Sequence, residues 1–415
     1  MAMTGEQRNS EQRNPRRRNP EPAAARNWAD ITRLIHPDWH DDPIGEPLNP
    51  PIFQTSTYRL PADERAAEVA SAVSPARFYT RYGSPNARAC EEMLRELDGA
   101  EAALLVGSGM AAVSAALLSN VSQGDHVVAQ TQHYTASLTL LTDVLPRFGV
   151  EVSLVEQSDP AALAAAVTDR TRVVYTETPS NPSLVLTDLA AAARAAHDHG
   201  ALMITDNTFA SPFNTRPIEL GADLVVQSAT KYLGGHSDVT AGVVTGRADL
   251  MEAAWQTARV FGPVCHPFEA WLLARGLRTF PLRLARQNSS AQVVAEFLAG
   301  HPAVEAVHYP GLVDHPQHEL ARRQMTGFGG MLSFVVRGGF EAAQGVLRGV
   351  DLFVNAVSLG GVESLITHPA TLVFSHQTPD EIAAAGVDLG LLRLSIGLEE
   401  PADLIADLAR ALPGQ

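Results

Sequence analysis

Between residues 100 and 230 the chain repeatedly alternates short, mostly apolar runs with alanine- and leucine-rich stretches, and nothing else in it restricts the fold as strongly. The runs fall at 102–106, 127–129, 152–155, 173–175, 202–205 and 224–226. Each is too short for a stable helix and lacks the apolar–polar alternation of a strand with one wet face, so each reads as a strand buried on both sides. Such strands separated by helices form a mostly parallel sheet covered on both faces. Ahead of the first run, Cys90, Met93, Leu94 and Leu97 recur at helical spacing between Pro85 and Gly99, a helix with a proline start and a glycine stop. The run 102–106, the turn Gly107-Ser108-Gly109 and the apolar stretch 110–118 make a strand, glycine turn and helix.

Beyond about Leu282 the pattern changes to fewer units. Strands are expected at 331–336, 353–358 and 392–396, a helix near 340–347, and a last amphipathic helix around Leu404, Ile405, Leu408 and Leu412. At 415 residues the chain exceeds the size at which one core stops growing. The expected class is therefore α/β: a large, mostly parallel domain followed by a smaller C-terminal α+β domain.

Composition narrows the partners. A net charge of −15 disfavours a phosphate backbone as ligand and points to a small molecule, with no nucleic acid. No apolar run reaches the roughly 18 residues of a membrane span. Two cysteines, Cys90 and Cys265, form neither a disulfide framework nor a metal-ligand pattern, which suits a reducing, cytoplasmic setting with no metal. Residues 1–27 hold six arginines among Gln, Asn, Pro and Glu, without apolar periodicity, and are expected to be a disordered tail.

In open α/β sheets ligands sit beyond the carboxyl ends of the strands. Asp206 ends the run 202–205, and Lys231 follows the run 224–230. Lys231 is flanked by Ser228 and Thr230 and then by Gly234-Gly235-His236, which places hydroxyls and close-approach backbone beside an amine. Ser108-Gly109-Met110 opens a helix whose first N–H groups can face an anion. An amine, an anion cradle and a strand-end carboxylate are the three parts that pyridoxal phosphate (PLP) requires, for its aldehyde, its phosphate and its pyridinium nitrogen.

The stretch Ser228-Ala229-Thr230-Lys231-Tyr232 with Gly235-His236-Ser237-Asp238 resembles the lysine signature of the Cys/Met-metabolism PLP family, which includes cystathionine γ-synthases, cystathionine and methionine γ-lyases, and O-acylhomoserine sulfhydrylases. The resemblance extends from about Thr32 to Leu412 through residues 50–57, Tyr79-Thr80-Arg81-Tyr82-Gly83, Glu177-Thr178-Pro179-Ser180-Asn181-Pro182, Tyr309-Pro310-Gly311-Leu312 and Arg393-Leu394-Ser395-Ile396-Gly397. It implies the PLP-dependent transferase fold (fold type I), with a large PLP-binding domain at 81–281 and a C-terminal domain at 282–415. It implies that Lys231 carries the cofactor and that Asp206 pairs with the ring nitrogen. Gly109, Met110, Ser228 and Thr230 would hold the phosphate. Tyr134 would stack on the ring and handle a proton, Asn181 and Arg393 would hold the substrate carboxylate, and Ser358 would contact substrate and position the lysine. Tyr79 and Arg81, on an N-terminal arm at 28–80, would reach the neighbouring subunit's phosphate, implying a homo-oligomer built as a dimer of dimers.

The chemistry so implied is loss of the α-proton and a β-proton from an amino-acid substrate, then departure of a group from Cγ. Elimination and replacement share these residues. Two departures bear on the choice. Val357 stands where cystathionine-handling relatives carry a glutamate, and an aliphatic side chain leaves a distal ammonium unpaired. Thr135-Ala136-Ser137 follows Tyr134, and Leu372-Val373-Phe374-Ser375-His376 stands where methionine and threonine are usual, so the pocket wall is altered. The leading expectation is a γ-elimination lyase with a thiolate, acyloxy or halide leaving group. The alternative is a γ-replacement enzyme. His133 and His236 read as packed polar residues.

Overall fold

The computed structural model describes residues 29–36, 47–373 and 388–414. The arginine-rich stretch 1–27 and residues 374–376 of the altered wall lie outside them.

Seven strands form the large sheet: β1 (Ala102–Val106), β2 (His126–Gln130), β3 (Glu151–Val155), β4 (Thr171–Glu177), β5 (Leu202–Asp206), β6 (Leu224–Ser228) and β7 (Gly242–Gly246). Their order is β1-β7-β6-β5-β4-β2-β3. All neighbours pair in parallel except β7, which is antiparallel to both β1 and β6. The runs on β2, β4, β5 and β6 are buried on both sides because successive residues serve different cores, whereas the run 152–155 is not: β3 is the edge of the sheet, and Leu154 is 41% exposed. Val127, Val173, Tyr175, Ile204, Leu224 and Val226 pack with the helices Gly109–Leu118 and Ala248–Phe261, while Val128, Val174, Met203 and Val225 pack with Pro160–Ala166 and Leu189–His197.

The helix Pro85–Asp98 starts at Ser84, whose side chain accepts from the Ala87 N–H, and stops at Gly99 with φ 66°. An N-cap of this kind contributes about 1 kcal/mol. Its buried Cys90, Met93, Leu94 and Leu97 pack among Ala270, Leu273 and Leu277 of the helix Pro267–Leu277.

The second sheet contains β8 (Val304–His308), β9 (Met331–Val336), β10 (Val354–Asn355), β11 (Leu365–Thr367) and β12 (Leu391–Ser395), in the order β10-β11-β12-β9-β8. The strand expected at 353–358 is only the two residues of β10. Ser358 has φ 85°, a left-handed conformation that ends extended pairing. The helix Phe280–Ala299 runs through the expected boundary near 282. Phe280 and Leu284 join the core under the large sheet, and Ala291, Val294, Ala295 and Leu298 join the core of the small one. Ser333 on β9 donates to the Pro182 carbonyl at 2.7 Å, tying the small sheet to the loop that follows β4. Among the described residues, no helix is long and apolar enough to cross a membrane.

Candidate active site

The chain turns sharply after β6, and the turn is held from below. Lys231 N–H donates to the Ser228 carbonyl at 3.1 Å, and Gly235 N–H to the Lys231 carbonyl at 2.8 Å. The buried Arg283 guanidinium donates to the carbonyls of Tyr232 (2.8 Å), Leu233 (3.3 Å) and Gly276 (3.0 Å). Gly360 lies so close that a Cβ there would sit 2.7 Å from the Tyr232 nitrogen and 3.1 Å from the Lys231 carbonyl carbon. The Lys231 backbone is thus clamped on two sides. Its Nζ donates to Ser358 Oγ at 2.7 Å. Burial, helped by the nearby Arg393 charge, lowers the amine to about 8, so it gives up its proton far more readily than an ordinary lysine, though the cation still predominates at neutral pH.

Arg393 on β12 fixes the other side of Ser358. One terminal nitrogen donates to Asn181 Oδ1 at 3.0 Å and the other to the Ser358 carbonyl at 2.9 Å, while Nε is buried with no partner. Among the described residues no carboxylate pairs with this guanidinium. Burial lowers it to about 10, so it remains a cation. A buried cation with an unused donor, braced rather than neutralised, is suited to an incoming carboxylate.

At the carboxyl ends of the large sheet, the helix Gly109–Leu118 begins at Ser108, whose Oγ accepts from the Ala111 N–H. The N–H groups of Gly109 and Met110 make no hydrogen bond within the described residues. A Cβ at position 109 would fall 2.7 Å from Ser228 Cβ and 2.9 Å from its Oγ, so only glycine lets the helix end approach that hydroxyl. Gly242 on β7 is required likewise, since a Cβ there would lie 2.0 Å from the Ser108 carbonyl oxygen. Thr230 Oγ1 is engaged with Ala241, accepting from its N–H at 3.0 Å and donating to its carbonyl at 3.2 Å.

Asp206 closes β5. Its carboxylate accepts from Thr208 N–H at 2.9 Å, and Thr208 Oγ1 accepts from Ser228 N–H at 2.8 Å, so Thr208 couples the two strand ends. Burial, and next the charge of Glu177, raise Asp206 to about 7. A cationic partner would restore it as a carboxylate.

Tyr134 presents its ring at the mouth, 48% exposed, and is held from its main chain, where N–H donates to Glu177 Oε2 at 2.7 Å. Of the three residues after it, Thr135 is exposed, whereas Ser137 turns inward and donates to Met110 Sδ at 3.6 Å. His236 folds back on the Gly234 carbonyl at 2.8 Å. Tyr79 and Arg81 do not join the cluster of their own chain. Arg81 donates to the Arg259 carbonyl at 2.6 Å and lies over the rings of Tyr82 (5.1 Å) and Tyr79 (5.5 Å). A cavity of about 690 Å³ opens beside Thr230 and Ser358, with Val354, Val357 and Leu365 on one wall and Asp238, Glu269 and Glu363 also lining it. Val357 is 66% exposed.

Four residues of the site have no role that the sequence alone assigns. Glu177 opens the stretch 177–182, and His133 reads only as a packed polar residue. Thr208 and Arg283 gave no signal, since each acts by a contact to a turn distant in sequence.

The parts fit PLP: a clamped amine of lowered basicity, a glycine-dependent helix end with free N–H groups, and a buried carboxylate lacking a cation. Fold and site together define a lysine-anchored PLP enzyme of the α/β class. The comparisons narrow the class: the family model described as Cys/Met metabolism PLP-dependent enzyme matches residues 31–413, and the chain belongs to that family. It is 43% identical over 383 residues to an L-methionine γ-lyase of Pseudomonas putida, covering 92% of this chain and 96% of that one. It is 42% identical over 382 residues to a cystathionine γ-synthase of Mycobacterium bovis, again covering 92% and 96%. Among solved structures, that of metB from Corynebacterium glutamicum superposes with a TM-score of 0.85 at 38% identity, covering 93% of this chain and 98% of that one.

Proposed function

We propose that this PLP-dependent enzyme catalyses γ-elimination on an L-amino acid whose γ-substituent is apolar or neutral. The observation that carries the reading is the aliphatic Val357 side chain, exposed on the cavity wall beside Ser358, whose hydroxyl holds the Lys231 amine. Relatives that carry the name L-methionine γ-lyase support it. Replacement of the γ-substituent by a nucleophile, the type of reaction that relatives named cystathionine γ-synthase and O-succinylhomoserine sulfhydrylase represent, is the alternative.

When bound, PLP supplies an electron sink for the carbanions that proton loss creates. Lys231, Asp206, Ser228, Thr230 and the N–H groups of Gly109 and Met110 would hold it. Arg393 and Asn181 bind the substrate carboxylate, and the guanidinium fork sets its orientation. That grip brings the α-hydrogen to the Lys231 side of the site, where Nζ takes it. The same amine then serves the β-position, since Ser358 Oγ accepts from Nζ and keeps it in place between transfers. The Tyr134 phenol, at the mouth, is the proton donor to the leaving group. Elimination ends in a 2-oxo acid, ammonia and the protonated leaving group.

Substituting Val357→Glu tests the wall. A glutamate can pair with a distal ammonium and is left unpaired by a methionine-like side chain. The kcat/KM ratio of cystathionine to methionine should therefore rise by roughly tenfold or more. An unchanged or reversed ratio, in an assembled variant that retains PLP, would remove Val357 from substrate choice.

The site is completed by a neighbouring subunit, whose arm would bring Tyr79 and Arg81 to the phosphate cradle. The support is that, among the described residues, no hydrogen bond joins either residue to Gly109, Met110, Ser228 or Thr230 of its own chain, Arg81 being engaged with the Arg259 carbonyl and the Tyr79 ring, while Tyr79 is 42% exposed. Mixing inactive Arg81→Ala with inactive Lys231→Ala chains should restore part of the activity, because one hybrid site then holds both native residues. Verified subunit exchange with no recovery would refute a shared site.

A further inference from the structure

Glu177 is a buried carboxylate for which the reaction described above has no use. It is the last residue of β4 and stands in register with Asp206, the last residue of β5, in a parallel pair. Side chains directly opposite in such a pair share a face, so two acids lie side by side at the floor of the site. Glu177 is 5% exposed and Asp206 9%. Placing two buried carboxylates together is unfavourable unless a cation is shared between them, and among the described residues neither is paired with Lys or Arg.

The surroundings of Glu177 are built in detail. Oε2 accepts from Tyr134 N–H at 2.7 Å and lies 3.5 Å from His133 Nδ1. His133 Nε2 accepts from Gln130 N–H at 3.1 Å, which leaves Nδ1 to carry the proton that faces Glu177. The His133 ring stacks on Tyr175, with centroids 4.7 Å apart and planes 15° apart. Gln130 Oε1 accepts from Glu177 N–H at 3.3 Å, so the carboxylate, the imidazole and the strand end are braced together.

We propose that Glu177 is a positioning residue of the cofactor site: it doubles the negative charge that Asp206 offers to a cationic ring nitrogen, and the same carboxylate anchors the main chain of Tyr134. The inference rests on the reading of Asp206 as the partner of that nitrogen. It assigns to one side chain an electrostatic task, performed through Asp206, and a mechanical one, performed through Tyr134, and substitution separates them. Glu177→Gln keeps an amide oxygen for Tyr134 N–H but removes the charge. Glu177→Ala removes both.

The test titrates the apo forms of the full-length protein with PLP and with its deaza analogue, in which CH replaces the ring nitrogen, and reads binding rather than turnover. Wild type should prefer PLP. In Glu177→Gln that preference should shrink by about tenfold, the equivalent of one pKa unit of charge pairing, with binding of the deaza analogue unchanged. Glu177→Ala should show the same loss of preference plus a further weakening common to both ligands. Asp206→Asn should lose the preference as well. A wild-type preference in Glu177→Gln, with the preference lost in Asp206→Asn, overturns the electrostatic role of Glu177 alone. Retention of the preference in Asp206→Asn overturns the reading of Asp206 and the inference with it.

Discussion

With alanine at position 231 the protein should keep its fold and lose about 10³-fold or more in turnover, the range that a positioned proton-transfer group supplies. The fold survives because the turn is held by main-chain bonds to Ser228 and Gly235 and by Arg283, none of which involves the Lys231 side chain. Turnover does not, because Nζ is the amine that the geometry sets against Ser358 and beside Arg393. Borohydride treatment of the wild-type holoenzyme should fix a pyridoxyl label on Lys231, and the alanine variant should take none. The lowered basicity adds a second readout. Only the neutral amine attacks an aldehyde, so the rate of PLP capture by the apo protein should rise with pH and level off above about 8, rather than near the 10.5 of an ordinary lysine. A variant within tenfold of wild-type turnover, or a label on another lysine, would contradict this assignment.

Arg393→Lys should cost about 100-fold in kcat/KM for amino-acid substrates, with most of the loss in KM. The charge persists, but a lysine has no fork and cannot serve Asn181 Oδ1, the Ser358 carbonyl and a substrate carboxylate together. Hydrogen bonds to charged groups contribute about 1.5 to 3 kcal/mol each, so loss of one or two of them accounts for that factor. A structural defect and a lost carboxylate anchor separate by comparison with the corresponding amine, which lacks the carboxylate. The slow turnover or binding of that amine should change little. Equal losses for amine and amino acid would mean that Arg393 acts by holding Ser358 in its left-handed conformation and not by binding substrate.

The large sheet was legible because its central strands are apolar runs, as burial on both faces demands; the edge strand β3, with Ser153 inside it and Leu154 exposed, shares the pattern only loosely. β7 was not legible. Its five residues begin and end with glycine, which reads as a break, yet Gly242 is glycine because the Ser108 carbonyl passes 2.0 Å from where a Cβ would stand. The run 353–358 looked like a strand, and the left-handed backbone at Ser358 shortens it, a conformation that no periodicity reveals. Asp206 and Lys231 were legible because strand ends in an open α/β sheet are where ligands bind. Arg283 reads as one more charged residue on a long helix, and its task of bracing the Tyr232 and Leu233 carbonyls exists only in three dimensions. Glu177 carries its own register information, since two strand-end acids on neighbouring strands could be suspected once the pairing of β4 with β5 is known.

The central claim, γ-elimination by a PLP enzyme of this family, is tested most directly by following methionine turnover in deuterated water by NMR, with and without an added thiol. γ-Elimination forms a new C–H bond at the former γ-carbon, so the 2-oxo acid should carry deuterium there, should appear with one equivalent of ammonia, and should remain the main product when thiol is present. A 2-oxo acid without γ-deuterium, or a thiol-coupled amino acid as the dominant product with little ammonia, would contradict the account.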